Sequence, residues 1–127
     1  MAEIFGNSMQ LMRKSMDFLW KKQEVIANNL ANVDTPGYKA RYVTFEEELE
    51  RRLRNAQTER RPGGLREALD GTEYQVHVTD NETARLDGNN VNTDSEMVEM
   101  TRTALQYQYA QNALNSDWNR LRTVIRG

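Results

Sequence analysis

Acid–base or nucleophilic chemistry in this chain would rest on very few residues. His77 is the only histidine, there is no cysteine, and carboxylates such as Glu46, Glu47 and Asp87 are what remains. Without thiols there is no disulfide framework, thiol nucleophile or Cys-based zinc site, and one histidine gives no cluster for a catalytic metal. Tyr74, Val76 and Val78 alternate with Gln75 and His77, which reads as a strand or small hairpin ending in an Asp80-Asn81 turn, with His77 on its polar face. Two carboxylates without a histidine can serve a glycosidase-like reaction. A chain of 127 residues with helix breakers through its middle nevertheless offers little wall for a substrate cleft. No catalytic residue, cofactor, metal or small-molecule substrate is expected.

Charge narrows the classes further. Nineteen acidic against 17 basic side chains give a net charge of −2, without the basic excess that phosphate neutralisation requires. The six arginines between Arg51 and Arg66 are interleaved with carboxylates and read as a solvated helix face and loop, so no nucleic-acid partner is expected. No basic segment leads into an apolar stretch at the N-terminus, and no run approaches the ~18 apolar residues needed to span a bilayer.

The elements that must position these residues follow from the helix breakers. Both prolines and most glycines lie between Pro36 and Gly88, leaving three parts: 1–33, 34–93 and 94–127. The first carries Met9, Met12, Met16, Leu19, Gln23, Ile26, Leu30 and Val33 at spacings of three and four, a heptad seam, with Leu11, Phe18 and Val25 beside it. The last repeats the rhythm with Met97, Met100, Ala104, Tyr107, Gln111, Leu114, Trp118, Leu121 and Ile125, behind Asp94 or Ser95 as N-cap. In the middle, Thr44 and Glu47 form a capping-box pattern opening a short helix from Phe45 to about Ala56. There Glu47–Arg51, Glu48–Arg52 and Glu50–Arg54 are i,i+4 pairs. The expected fold is mainly α: two long terminal helices in an antiparallel coiled coil around a small irregular middle.

One stretch, residues 27–39, is not explained by helix patterning. Pro36 and Gly37 read as the central pair of a type II turn, and Pro36 forces the helix to end before Thr35. Asn28, Asn29 and Asn32 each cost helix propensity near that end, so their amides are expected to bond backbone of the turn or of a neighbour. Asn28, Asn29, Leu30, Asn32, Thr35, Pro36, Gly37 and Tyr38 together resemble the N-terminal signature of bacterial flagellar basal-body rod and hook proteins. Arg85-Leu86-Asp87-Gly88-Asn89-Asn90-Val91 and the helix start at 94–100 resemble the C-terminal part of the proximal rod members. The short middle fits those members too, because hook and distal-rod relatives carry larger β-rich insertions. Asp34 departs from the Asn of many axial relatives.

The resemblance implies a non-catalytic building block, made in the cytoplasm, exported by the flagellar type III apparatus without a cleaved signal, and assembled into the basal-body rod in the cell envelope. It implies terminal helices forming the inner layer of a hollow tube and a middle facing outward or bridging to neighbours. The partners it implies are other copies, other rod subunits, the adaptor joining rod to membrane ring, and the export gate. A soluble coiled-coil adaptor or type III secretion chaperone is the alternative; it shares the helices but has no need of the Asn-rich turn.

The two seams also predict a register. Setting Gln23 opposite Gln111 lets the polar seam residues satisfy each other, whereas either one facing Leu or Met would lose hydrogen bonds at roughly 1–3 kcal/mol. Met9 then faces Ile125, Met16 faces Trp118 and Leu30 faces Ala104, with facing residue numbers adding to about 134.

Overall fold

A computed structural model describes residues 2–59, 63–80 and 85–127. Arg60, Arg61, Pro62 and Asn81, which figure in the readings above, lie outside the described residues. The elements run α1 (Ala2–Ala31), β1 (Arg41–Thr44), α2 (Glu46–Glu59), α3 (Gly64–Gly71), β2 (Gln75–Val78) and α4 (Thr93–Arg126). Two terminal helices of 30 and 34 residues therefore flank a small middle, as the breaker positions demand.

The helices α1 and α4 form the main packing of the molecule, and they run antiparallel. Asn29 meets Glu96, Lys22 pairs with Glu99 at 3.2 Å, and the rings of Trp20 and Tyr107 lie 6.0 Å apart. These pairs have residue numbers adding to between 121 and 127, so the predicted register of Gln23 on Gln111 is wrong by about nine residues, roughly 13 Å along the axis. The cause lies in α4. Met100, Tyr107, Leu114 and Leu121 are half-buried as expected, but the alternate seam positions are taken by Glu96, Thr103, Ala110 and Asp117. Met97, Ala104, Gln111, Trp118 and Ile125, one residue further on in the first four cases, are exposed. Thr103 is fully buried because its hydroxyl donates to the Glu99 carbonyl at 2.7 Å, so a residue read as polar carries no unpaired group into the interface. In α1 both apolar lines are used: Leu19 and Ile26 of the seam and Phe18 and Val25 beside it are buried.

The core sits where β1 and α2 meet this pair. Phe18, Leu19, Val25, Val43 and Phe45 cluster there, with Leu49, Tyr107 and Ala110 packed around them. The Phe18 and Phe45 rings stack at 5.2 Å. The strand at 75–78 is as expected, but its partner is not local: β1 pairs antiparallel with β2, Arg41 opposite Val78 and Thr44 opposite Gln75. Thr44 is therefore a strand residue, and its hydroxyl lies 2.8 Å from His77 Nε2 instead of capping α2. His77, expected on a polar face, is half-buried and stacks on Tyr42, while Val76 and Val78 are exposed because β2 is the outer strand.

The helix α3 was not foreseen from pattern; Ala68 and Leu69 bury its inner side. Its C-terminal end is strapped to α1, where Lys14 Nζ donates to the Asp70 and Thr72 carbonyls at 3.0 and 2.9 Å and Gln10 bonds the Asp70 carboxylate. On α2, Glu48–Arg52 and Glu50–Arg54 form, but Arg51 turns to Glu48 and not to Glu47. The Arg51 and Arg52 guanidinium groups hold the Glu48 carboxyl below its ordinary pKa. The N-cap of α4 is Asn92, whose side chain accepts from the Ser95 amide at 3.1 Å, and neither Asp94 nor Ser95.

The register is directly testable. Lys22→Cys with Glu99→Cys should be joined within one chain by a thiol cross-linker spanning the about 8–10 Å between packed helix axes. Met16→Cys with Trp118→Cys should not be joined.

Candidate functional site

The Asn-rich end of α1 is the centre of a hydrogen-bonded clasp. Asn29 is 0% exposed and uses its whole amide. Oδ1 accepts from the Arg41 amide at 3.0 Å and from the Tyr38 hydroxyl at 3.1 Å; Nδ2 donates to the Arg41 carbonyl at 2.8 Å and to Glu96 Oε2 at 3.1 Å. In an antiparallel ladder alternate residues turn their peptide groups away from the partner strand. Thr79 bonds Ala40 across the ladder, so the next residue, Arg41, turns outward, and the Asn29 side chain completes that edge as a third strand would. One side chain thus ties α1 to β1 and to the first turn of α4.

Beyond Asn29 the helix unwinds in steps that use the remaining motif residues. Asn32 donates its side-chain amide to the Asn28 carbonyl at 2.8 Å and accepts from the Thr35 hydroxyl at 3.0 Å. The Tyr38 amide closes a turn onto the Thr35 carbonyl at 3.2 Å, with Gly37 at φ 73°, the positive value the third residue of a type II turn requires. Pro36 is exposed and shapes the turn without contributing a bond, Leu30 and Val33 are half-buried, and Asn28 contributes its carbonyl.

The stretch 85–91 closes the clasp from the other side. Asn89, also 0% exposed, donates through Nδ2 to the Asn32 and Thr35 carbonyls at 2.8 and 2.9 Å and accepts at Oδ1 from the Val91 amide at 2.8 Å. Asn90 accepts from the Ala40 amide at 2.6 Å and donates to the Thr79 carbonyl at 2.8 Å. The Gly37 amide donates to the Asp87 carbonyl at 2.7 Å. Gly88, at φ 81°, lies against Gly37, where an added Cβ would stand 3.5 Å from its Cα. Arg85 donates to the Val33 carbonyl at 2.6 Å, and its guanidinium lies 3.8 and 3.7 Å from Asp34 and Asp87. Lys39 reaches the Gly88 carbonyl at 2.7 Å, so it is part of the clasp and not merely solvated.

The structure therefore brings together Asn29, Asn32, Thr35, Gly37 and Tyr38 from the first motif and adds Asn89, Asn90, Arg41 and Glu96. The Asn89-Asn90 pair was the available signal, two adjacent amides after the Asp87-Gly88 turn. Among the described residues no buried side-chain nitrogen or oxygen lacks a partner, so the clasp is saturated. Amides neither release nor take up protons near neutral pH. What this arrangement does is fix the angle at which α1, the turn and α4 meet.

Replacing Asn29 by Ala leaves both Arg41 peptide groups without their partner and should lower stability by about 2–3 kcal/mol, read from urea unfolding. Asn29→Asp keeps the shape but turns an acceptor toward the Arg41 carbonyl and Glu96. It should be no more stable than Asn29→Ala at neutral pH and recover as acid restores a donor, because the carboxyl's folded-state pKa is raised and the stability it brings is present only below that pKa. Gly37→Val should lower stability, read from urea unfolding, more than Lys39→Ala. A β-branched residue at φ 73° is strained, at roughly 1–2 kcal/mol or more, whereas Lys39→Ala removes one bond.

Comparison with known proteins places this geometry. The signature of the family described as "Flagella basal body rod protein" matches residues 19–39, from the core stretch of α1 through the turn. The chain is 32% identical to the flagellar basal body rod protein FlgB of Bacillus subtilis over 98% of this chain and 97% of that protein. It is 34% identical to the FlgB protein of Borrelia hermsii, over 97% and 98%, and 27% identical to that of Escherichia coli, over 98% and 97%. With similarity extending over nearly the whole of both chains, this chain belongs to the FlgB family of flagellar basal-body rod proteins.

Proposed function

We propose that the chain is a structural subunit of the proximal flagellar rod, exported by the flagellar type III apparatus and built into the axial drive shaft of the basal body by packing, without catalysis. The observation that carries this reading is the second apolar side of α4. Met97, Val98, Leu105 and Tyr109 stay exposed although the helix already buries another face on α1. Contiguous apolar surface of this kind is covered in an assembly. Met97, Ala104, Gln111, Trp118 and Ile125, which stay exposed, then belong to contacts with neighbours, beside the seam residues the chain buries itself.

In this reading the segments 1–33 and 94–127 line the inner layer of the tube and 34–93 faces outward or bridges to neighbours, the clasp fixing the angle between them. The neighbours are further copies, other rod subunits, the adaptor to the membrane ring and, before assembly, the export gate. Cells lacking the chain should lose the rod while keeping the membrane ring, seen by imaging isolated basal bodies. A rod that persists would overturn the reading, and a stable closed dimer in dilute solution would favour an adaptor or secretion chaperone.

A further inference from the structure

The helices of the middle segment are held far more lightly than the terminal pair. None of the 14 residues of α2 is buried, and Leu49, in its first turn, is its contribution to the packing around the core cluster. The helix packs on α3, and α3 in turn packs on α1. Few buried contacts are what make a segment open separately from the rest of a fold. The two helices are nevertheless tied to each other. Arg52 Nε donates to Glu48 Oε1 at 2.6 Å, and the guanidinium lies over Gly71, where an added Cβ would stand 2.5 Å from Nη1. Glycine is needed at 71 to seat that arginine.

Toward α1 the connection is made by Lys14. Its Nζ holds the Asp70 and Thr72 carbonyls, on either side of Gly71, at 3.0 and 2.9 Å, and Gln10 bonds the Asp70 carboxylate. The last carbonyls of a helix have no partner within it and carry the negative end of its dipole, so an ammonium group suits them. Just past this point the chain turns extended, Thr72 having ψ 122°. A cavity of about 400 Å³ lies at the same foot, lined by Lys14 together with Arg13, Asp17, Phe45, Glu73 and Tyr74, and it leaves room for the helix end to move.

From this division we propose that α2 and α3 form an arm that swings on α1 as one body, hinged where α2 leaves Phe45 and where the chain turns extended at Thr72, with Lys14 as the latch that holds it closed. Opening unfolds neither helix, because Glu48, Arg52 and Gly71 travel together. The core, the clasp and the α1–α4 pair stay in place. An arm with two positions gives the segment between β1 and β2 a reach that the fixed corner denies to α1 and α4. The swing belongs to the single chain and holds whether or not that chain enters a rod.

Spin labels on engineered cysteines, in a chain with no native cysteine, test this through the distances between them. Ala27→Cys with Gln57→Cys spans body and arm, Gln57→Cys with Arg66→Cys lies within the arm, and Ala27→Cys with Tyr109→Cys lies within the body; all four sites are exposed. Lys14→Met keeps the stem and removes the donor, and the loss of bonds from a charged group should raise the open share by about tenfold or more. It should appear as a second body-to-arm distance, while the arm pair and the body pair keep one distance each. Gln10→Ala should shift the body-to-arm distance in the same direction and less. Gly71→Ala displaces Arg52 and should broaden the arm pair instead. A single, unchanged body-to-arm distance in Lys14→Met, an arm pair that broadens along with it, or an arm pair indifferent to Gly71→Ala would overturn the arm. If the body pair also broadens in Lys14→Met, that variant has lost its fold, and Gln10→Ala decides on the same readings.

Discussion

The structure hangs on a buried amide. Asn29 must accept two hydrogen bonds and donate two, and it finds partners for all four in three different segments. A buried polar group is costly unless satisfied, so this side chain admits one mutual arrangement of α1, β1 and α4 and penalises the others. Apolar packing alone would not do so. The α1–α4 interface has Met and Leu positions that tolerate sliding by a heptad, whereas Asn29 loses Glu96 with the first step.

Asn89 serves the same end for the turn. It is a second donor to the Asn32 and Thr35 carbonyls, which also accept the Thr35 and Tyr38 amides, and so ties the turn after α1 to the loop at 85–88. Glycine is needed at 37 because the turn demands positive φ. It is needed at 88 because the backbone there too has positive φ. A segment rich in Asn, Gly and Pro is thereby made a rigid corner, where its composition would ordinarily indicate a flexible loop.

Rigidity at the corner bears on function. The buried residues among those described run from Phe18 to Thr103, in the core and the clasp, and α4 beyond Thr103 has none. A subunit with one fixed corner and a long helix exposing apolar surface is suited to the proposed assembly: the corner sets the direction of the helices and leaves apolar surface of α4 exposed for neighbours to cover. The similarity to FlgB proteins covers nearly the full length, so corner and helices are both within it.

The periodicity of the sequence determined two long helices and the break before Pro36, because a 3.6-residue repeat and a proline act locally. It determined the type II turn for the same reason. What it could not determine was which of two adjacent lines on α4 faces α1. Ala104, Gln111 and Trp118 stand beside Thr103, Ala110 and Asp117, and the choice depends on partners distant in sequence. Only the tertiary structure places Glu96 on Asn29 and Lys22 on Glu99, and those two contacts override the apolar rhythm. The pairing of β1 with β2 and the role of Asn89 were likewise decided across the fold, since four-residue strands separated by more than 30 positions carry no local signal of each other. Local stereochemistry is written in neighbouring residues; register is a competition between distant ones, and it is settled by whichever buried polar groups must be satisfied.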